Sequence, residues 1–377
     1  MITISLCMIV KDEEDVLARC LESAADTADE IIIVDTGSAD ATKEIARRYT
    51  DKVYDFAWTD DFSAARNFSF SKAEMEYCMW LDADDILLEA DRAALLDLKR
   101  TLDPAADVVM LRYHAAFDAD GKPTLSYYRE RIVRNSPEFR WAGAVHEAIT
   151  PSGVVVYGDA AVSHRKLRPS DPARNLRIYE KQLAEQGELA PRDQFYYARE
   201  LYYHERYADA VRVFEAFLDG GRGWIENNIE ACRHLSWCRY AMKEPREALS
   251  ALLRTLEYDT PRAEVCCDVG KHFLDRARYR EAIFWYELAL SRERDDRSGA
   301  FVSPDCYGYL PCIQLCVCHD RLGERARAAC AMVTLKGRAL LSVTKLTDDK
   351  TFETRLLSLL EGAGVPVKLS GSMPYGA

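Results

Sequence analysis

The chain has 377 residues, 48% of them hydrophobic and 30% charged, which excludes a disordered polymer and leaves length for two independent cores. A net charge of −12 excludes a general nucleic-acid binder. No apolar run approaches the roughly 20 residues that cross a bilayer, so there is no transmembrane segment and any membrane attachment is peripheral.

The charge is unevenly spread. Up to position 165 there are 31 acidic and 18 basic residues, a balance of −13, and the remainder carries +1. An acidic half that handles phosphates needs a divalent cation to do so. Met1 to Val10 is apolar but has no basic region before it and meets Lys11-Asp-Glu-Glu14. It reads as a buried first strand rather than a signal peptide, with the cytoplasm, or the inner face of the membrane, as the expected location. Twelve cysteines, nine of them from Cys232 onward, include no Cys-x-x-Cys. Without a secretion signal they read as free thiols packed as small hydrophobes, and the ligand spacing of a structural zinc site is missing.

In chain order, apolar Ile2 to Val10 precedes a helix over about Glu13 to Ala25, a strand over Glu30 to Val34 and a helix over Ala39 to Tyr49. A short strand at Lys52 to Phe56, a helix at Ser63 to Ala73 and the apolar strand Tyr77 to Leu81 continue the alternation. This is the pattern of a mostly parallel, doubly wound α/β sheet. Ligands sit at the carboxyl ends of such strands, which marks Lys11 to Glu14, Asp35-Thr-Gly-Ser38 and Asp82-Ala-Asp84 together. From Ala106 to Val162 the pattern turns strand-like, with a hairpin turn at Asp118 to Gly121. A Pro-containing segment, Leu167 to Pro172, then leads into helices. The expected domains are therefore 1–166 (α/β), 173–362 (all-α) and a flexible tail at 363–377.

Helical pairs recur in the second half. Aligning Ala210, Ala248, Ala282 and Ala328 gives intervals of 38, 34 and 46 residues, with a small residue twelve positions earlier at Ala198, Ser236, Gly270 and Cys316. The unit containing Gly270, Phe273, Ala282 and Tyr286 closely resembles a tetratricopeptide repeat, in which small residues let paired helices approach. Tyr196, Tyr197, Tyr202 and Tyr203 either line a groove or pack between helices.

Asp82, Asp84 and Asp85 place three carboxylates in four positions after an apolar strand, which suits a hard cation such as Mn²⁺ or Mg²⁺ bridging a diphosphate. A solvated turn would read the same way. Four ordered segments add specificity: Leu6 to Glu14, Ile33 to Asp40, Asp60 to Asn67 and Trp80 to Asp85. In order, they resemble the signature segments of family 2 glycosyltransferases of the GT-A fold, over residues 2 to 165. With the attached repeats, the chain is similar to a bacterial subgroup that includes peptide S-glycosyltransferases acting on bacteriocin precursors.

The resemblance implies an inverting transfer from a nucleoside-diphosphate sugar, uridine-linked, with Mn²⁺ or Mg²⁺ as cofactor. It implies that Ile9, Val10 and Lys11, with Glu14 and Asp35, hold base and ribose, that Arg66 approaches the phosphates, and that Gly37, Ser38, Asp61, Asn67, Leu81, Asp82 and Ala83 also belong to the nucleotide-sugar site. Asp84 would be the principal metal ligand, joined by His164, with Asp82 on ribose or on the metal through water. A carboxylate in an apolar pocket can take the acceptor proton. Within Arg140 to Glu147, a segment also similar to the subgroup, Glu147 is the nominated base, Asp85 its reserve and His146 an orienting group. The acceptor is expected to be a peptide or protein side chain presented through the repeats, or alternatively a cell-surface glycan or lipid-linked saccharide. Homodimerisation through the repeats is a further expectation. Two rivals are a haloacid-dehalogenase-type phosphatase, disfavoured because two strands precede the Asp-x-Asp, and a non-catalytic repeat scaffold.

Overall fold

The computed structural model describes residues 1–118, 120–167, 171–324, 327 and 328, and the strands Leu341–Val343 and Val367–Leu369. The chain divides into two compact units, Met1–Asp193 and Gln194–Ala377. The expected flexible tail lies outside the described residues except at Val367–Leu369, which pairs in parallel with Leu341–Val343.

In the first unit β1 (Ile4–Val10), α1 (Leu17–Ala24), β2 (Glu30–Asp35), α2 (Thr42–Ala46), β3 (Val53–Asp55), α3 (Phe62–Phe70) and β4 (Tyr77–Trp80) alternate as the pattern predicts. They are followed by β5 (Asp85–Ile86), α4 (Glu89–Thr101), β6 (Val108–Phe117), β7 (Pro123–Arg134), β8 (Val155–His164) and α5 (Arg174–Gln186). One eight-stranded sheet runs β3-β2-β1-β4-β7-β6-β8-β5. The first four strands are parallel, and β7 joins β4 antiparallel, making the sheet mixed. Ile4, Leu6 and Met8 of β1 face one core while Cys7 faces another, so both faces of the central strand are covered and its continuous apolar run is explained. The β6–β7 hairpin forms at the expected turn, where Asp118 Oδ1 accepts from the main-chain N–H groups of Asp120 and Lys122 at 3.0 and 2.8 Å. The helix expected at Ala39 to Tyr49 shortens to Thr42–Ala46, because residues 36–41 are used by the β2 loop described below.

The first compact unit continues past the Pro-containing segment through α5 to Asp193. The Tyr179 hydroxyl donates to the Val145 carbonyl at 3.2 Å and Lys181 Nζ meets Asp60 Oδ2 at 2.6 Å. The helical periodicity after Pro172 marks a change of secondary structure, whereas these contacts attach α5 to the α/β core.

The second unit takes over within α6 (Pro191–Tyr203) and continues with α7 (Tyr207–Asp219), α8 (Ile225–Ala241), α9 (Pro245–Arg254), α10 (Ala263–Leu274), α11 (Tyr279–Leu290) and α12 (Tyr309–Arg321). The aligned small residues sit where helices meet: Ala198, Ser236, Ala210, Ala248 and Ala282 are fully buried, and Cys316 nearly so. A methyl group added at Gly270 would lie 2.8 Å from the Tyr286 ring, so only glycine allows that approach. Tyr197 is buried, Tyr203 exposed, and the Tyr202 ring packs on Tyr207 and Trp237.

His234 lies inside this unit at 2% exposure, with the rings of Tyr202, Phe214 and Trp237 at 5.3, 5.8 and 4.6 Å. Burial, then Arg199 and Arg233, push its imidazole well below the ordinary 6.5, against an opposing hydrogen bond to the Glu230 carbonyl. The unfolded chain therefore takes up a proton that the fold refuses. The stability this contributes is complete above about pH 6.5 and lost as pH falls below it. The melting temperature is expected to drop between about pH 7.5 and 5.5, with a shallower drop in His234→Phe; an identical slope in the variant would contradict this.

Candidate active site

At the carboxyl ends of β1 and β2 the loops are tied together. Asp12 Oδ1 accepts from the Ala39 N–H at 2.7 Å, the Asp12 N–H donates to Ser38 Oγ at 2.9 Å, and Glu14 Oε2 accepts from the Ala41 N–H at 3.0 Å. Val10 accepts from both the N–H and the hydroxyl of Thr36, Ile9 is half-buried and Lys11 is exposed. Glu14 thus holds a loop. Asp35, 2% exposed, accepts with Oδ1 from the N–H groups of Gly37 and Ser38, both at 3.0 Å. Gly37 has φ +106°, a conformation that glycine takes without strain. The other oxygen, Asp35 Oδ2, is buried with no hydrogen-bond partner. A desolvated acceptor of this kind is costly unless a ligand donor meets it.

Helix α3 begins on Asp61, whose Oδ1 caps the Ala64 N–H at 2.9 Å and accepts from the Ser63 hydroxyl at 2.7 Å. One turn on, Asn67 clamps Trp141 by its main chain, donating to the carbonyl and accepting from the N–H, both at 2.9 Å. Arg66, 6% exposed, lies between: Nε donates to Glu147 Oε1 at 2.6 Å and Nη2 to Asp82 Oδ1 at 2.7 Å. Its guanidinium carbon stands 4.9 Å from the Trp80 ring and 4.8 Å from Trp141, and Nη1 is buried without a partner.

The turn after β4 carries the acidic motif. Leu81 and Ala83 point into the core, and the turn closes through Asp85 N–H to the Asp82 carbonyl at 3.0 Å and Asp82 N–H to Asp85 Oδ2 at 3.1 Å. Asp85 and Ile86 then pair with β8, setting Asp85 opposite His164. Asp84, Asp85 and His164 each offer a ligand atom within 4.8 Å of the others. Carboxylate oxygens with one imidazole nitrogen fit a divalent cation. Asp82, expected on ribose or on the metal through water, has its Oδ1 on Arg66 Nη2 at 2.7 Å, and Asp85 joins Asp84 and His164 beside it. Asp85, the reserve base, is fully buried; Oδ2 pairs with Arg131 Nη1 at 2.9 Å, and Arg131 is itself fully buried between the Trp80 and Tyr113 rings.

The electrostatics point the same way. Burial, then Asp84, Asp82 and Asp40, raise the Glu13 carboxyl to about 7. Burial raises Asp84 also, with Asp82 and Asp85 adding to it. Asp82 behaves oppositely: burial pushes it up, but Arg66 and Arg131 hold it below the ordinary carboxylate range. A half-buried concentration of negative charge that Arg66 and Arg131 only partly offset is relieved by a cation.

Glu147, on the loop before β8, is ion-paired to Arg66, and its carbonyl accepts from Arg129 Nη2 at 3.5 Å. His146 is exposed with φ +51°, and its carbonyl accepts from Arg192 Nη2 at 2.9 Å. The fold thus gathers Arg66, Asp82 and Glu147 on one guanidinium, and Asp84, Asp85 and His164 beside one another. Asp61 and Asn67 serve as cap and clamp. Sequence reasoning missed Arg131 and gave no separate role to Glu13, Trp80 and Trp141, which lie inside segments it marked. Glu13 and Glu14 are adjacent and equivalent as residue types, and nothing in their spacing tells which one faces Asp84.

Residues 5–152 match the family described as glycosyl transferase family 2. A TPR repeat-containing protein of Synechococcus elongatus is 38% identical over 154 residues, covering 40% of this chain and 36% of that protein. The SPbeta prophage-derived glycosyltransferase SunS of Bacillus subtilis is 26% identical over 283 residues, covering 71% of this chain and 65% of its own. The chain thus spans between about a third and two thirds of these relatives. The solved structure of MamA covers 43% of this chain and 79% of its own, at 17% identity and a TM-score of 0.35. No helix among the described residues is long and apolar enough to cross a membrane.

Proposed function

We propose that residues 5–152, which match glycosyl transferase family 2, act with the tetratricopeptide-like repeats to transfer a sugar from a uridine-diphosphate sugar, with inversion, to a side chain of a peptide or protein. The observation that carries this reading is Arg66, which ties Glu147 to Asp82 directly beside the Asp84–Asp85–His164 trio. A proton acceptor held by the same buried guanidinium that braces the acidic turn brings an attacking group and a leaving diphosphate to one place.

Asp35 Oδ2, buried and unpartnered, would accept a donor from the base or ribose. Asp84, Asp85 and His164 would hold Mn²⁺ or Mg²⁺, which supplies charge stabilisation for the departing diphosphate. Arg66 keeps Glu147 and Asp82 in place and leaves Nη1 for a phosphate oxygen. Glu147 takes the proton of the acceptor as its nucleophilic atom bonds to the sugar C1 and the C1–oxygen bond to the diphosphate breaks. Trp80 and Trp141 cover the guanidinium and exclude water from it.

Glu147→Gln tests the base. Transfer is expected to fall by about a hundredfold or more while donor affinity stays within a fewfold of wild type. Equal transfer by the variant would place the base elsewhere, and a matching loss of donor affinity would assign Glu147 to binding. A panel of peptide, saccharide and lipid-linked acceptors separates the acceptor classes; turnover only with saccharides would overturn the peptide reading.

A further inference from the structure

The third interval between the aligned alanines, from Ala282 to Ala328, is 46 residues where the others are 38 and 34. The extra length is the segment between α11 and α12, which folds back onto α10. Glu264 anchors it, accepting from the Ser303 N–H at 2.7 Å and the Tyr307 hydroxyl at 3.0 Å. Earlier in the same segment, Gly299 (φ +77°) passes so close to Trp224 that a Cβ would lie 2.8 Å from its ring. Phe301 packs 4.8 Å from the Arg199 guanidinium carbon.

Between this segment, α8 and α10 lies a cavity of 450 Å³, within the range of small-ligand sites. Ile229 and Val265 give it an apolar floor, while six carboxylates and three guanidiniums line the rest. Glu226, Glu230, Arg233 and Glu264 are each less exposed than 8%. Charges buried this deeply seldom stabilise a fold more than apolar side chains of similar size would, so their place on a cavity wall points to recognition. Two of the three guanidiniums are engaged by carboxylates, Arg262 Nη2 with Glu226 at 2.8 Å and Arg233 Nη1 with Glu230 at 2.9 Å, while Arg292 donates to the Ser291 hydroxyl, so the carboxylates still outnumber the guanidiniums six to three. Glu264, by contrast, has only neutral donors, and Glu293 and Asp295 at the rim make no ion pair among the described residues.

We infer that this cavity binds a peptide segment through one basic side chain, Lys or Arg. Its ammonium or guanidinium meets the surplus carboxylates, and its methylene stem lies on Ile229 and Val265. Phe301, a lining residue 37% exposed, offers apolar surface for the flanking main chain, and Trp224, 49% exposed, lies against Gly299 of the same segment. Binding of this kind needs neither donor nor metal and holds whether or not the peptide is the acceptor of transfer.

The test is calorimetric titration of the full chain with blocked Gly-Gly-X-Gly-Gly peptides in which X is Arg, Lys, norleucine or Glu. Arg and Lys peptides are expected to bind about tenfold or more tightly than norleucine. The double variant E293Q/D295N, confined to exposed rim positions, is expected to weaken them about fivefold at unchanged melting temperature; Glu264→Gln is expected to weaken them further, and the rim variant decides the matter if Glu264→Gln releases the segment. Equal affinity for norleucine would reduce the site to an apolar groove. Preference for Glu would assign recognition to the guanidiniums. Either result overturns the inference.

Discussion

Asp84→Asn is expected to lower metal-dependent turnover of the sugar nucleotide by at least about a thousandfold, since the carboxylate is asked to hold the cation that offsets the leaving diphosphate. Asp84 is half-buried and its nearest cationic group is His164, 3.4 Å away. Burial and its acidic neighbours raise its carboxyl in the metal-free protein, so the neutral amide removes repulsion and the fold should melt no lower than wild type. Turnover is read as released nucleoside diphosphate across a range of Mn²⁺ concentrations. Full activity at saturating metal would remove Asp84 from the ligand set. A lowered melting temperature would mean that the turn needs the carboxylate for reasons other than metal.

Arg131→Met carries the largest expected effect on stability. The Arg131–Asp85 pair is fully buried on both sides. Removing one member of such a pair leaves the other charged in a low-dielectric core, at a cost of about 3–5 kcal/mol. In a domain of this size that lowers the melting temperature by about 10 °C. The double variant R131M/D85L is expected to recover most of this loss, because an apolar pair of similar volume avoids desolvating either charge. Both variants are expected to lose activity, since Asp85 is one of the proposed metal ligands and Arg131 pairs with it, so unfolding is the readout that separates them. An Arg131→Met protein as stable as wild type would contradict this account of the pair.

The alternation of strands and helices up to Leu81 was legible because the central strands are covered on both faces and their apolar runs are continuous, as in Ile31-Ile32-Ile33-Val34. The small residues of the repeats were legible for a related reason: Ala210, Ala248 and Ala282 recur at contact points where nothing larger fits. The acidic turn could be found, but the division of labour within it could not. Asp82, Asp84 and Asp85 are chemically alike, and what separates them is Arg66 on one side and a two-residue strand pairing with β8 on the other. Neither partner lies within the turn, and β8 comes from a distant part of the chain. Arg131 looks like a solvated charge on a half-exposed strand and is instead buried between two aromatic rings. Asp61 and Asn67 carry motif positions whose local geometry is that of a helix cap and a main-chain clamp, roles that a motif alone does not distinguish from ligand contact.

The central claim, a cation-dependent nucleotide-sugar site at Asp35, Asp84, Asp85 and His164, is tested most directly by titrating uridine-diphosphate sugars into the full chain with Mn²⁺ and again with chelator. Binding of at least one such sugar that requires Mn²⁺, and that disappears in Asp84→Asn, is the predicted result. Equal binding with and without metal, or no binding of any donor, would contradict it.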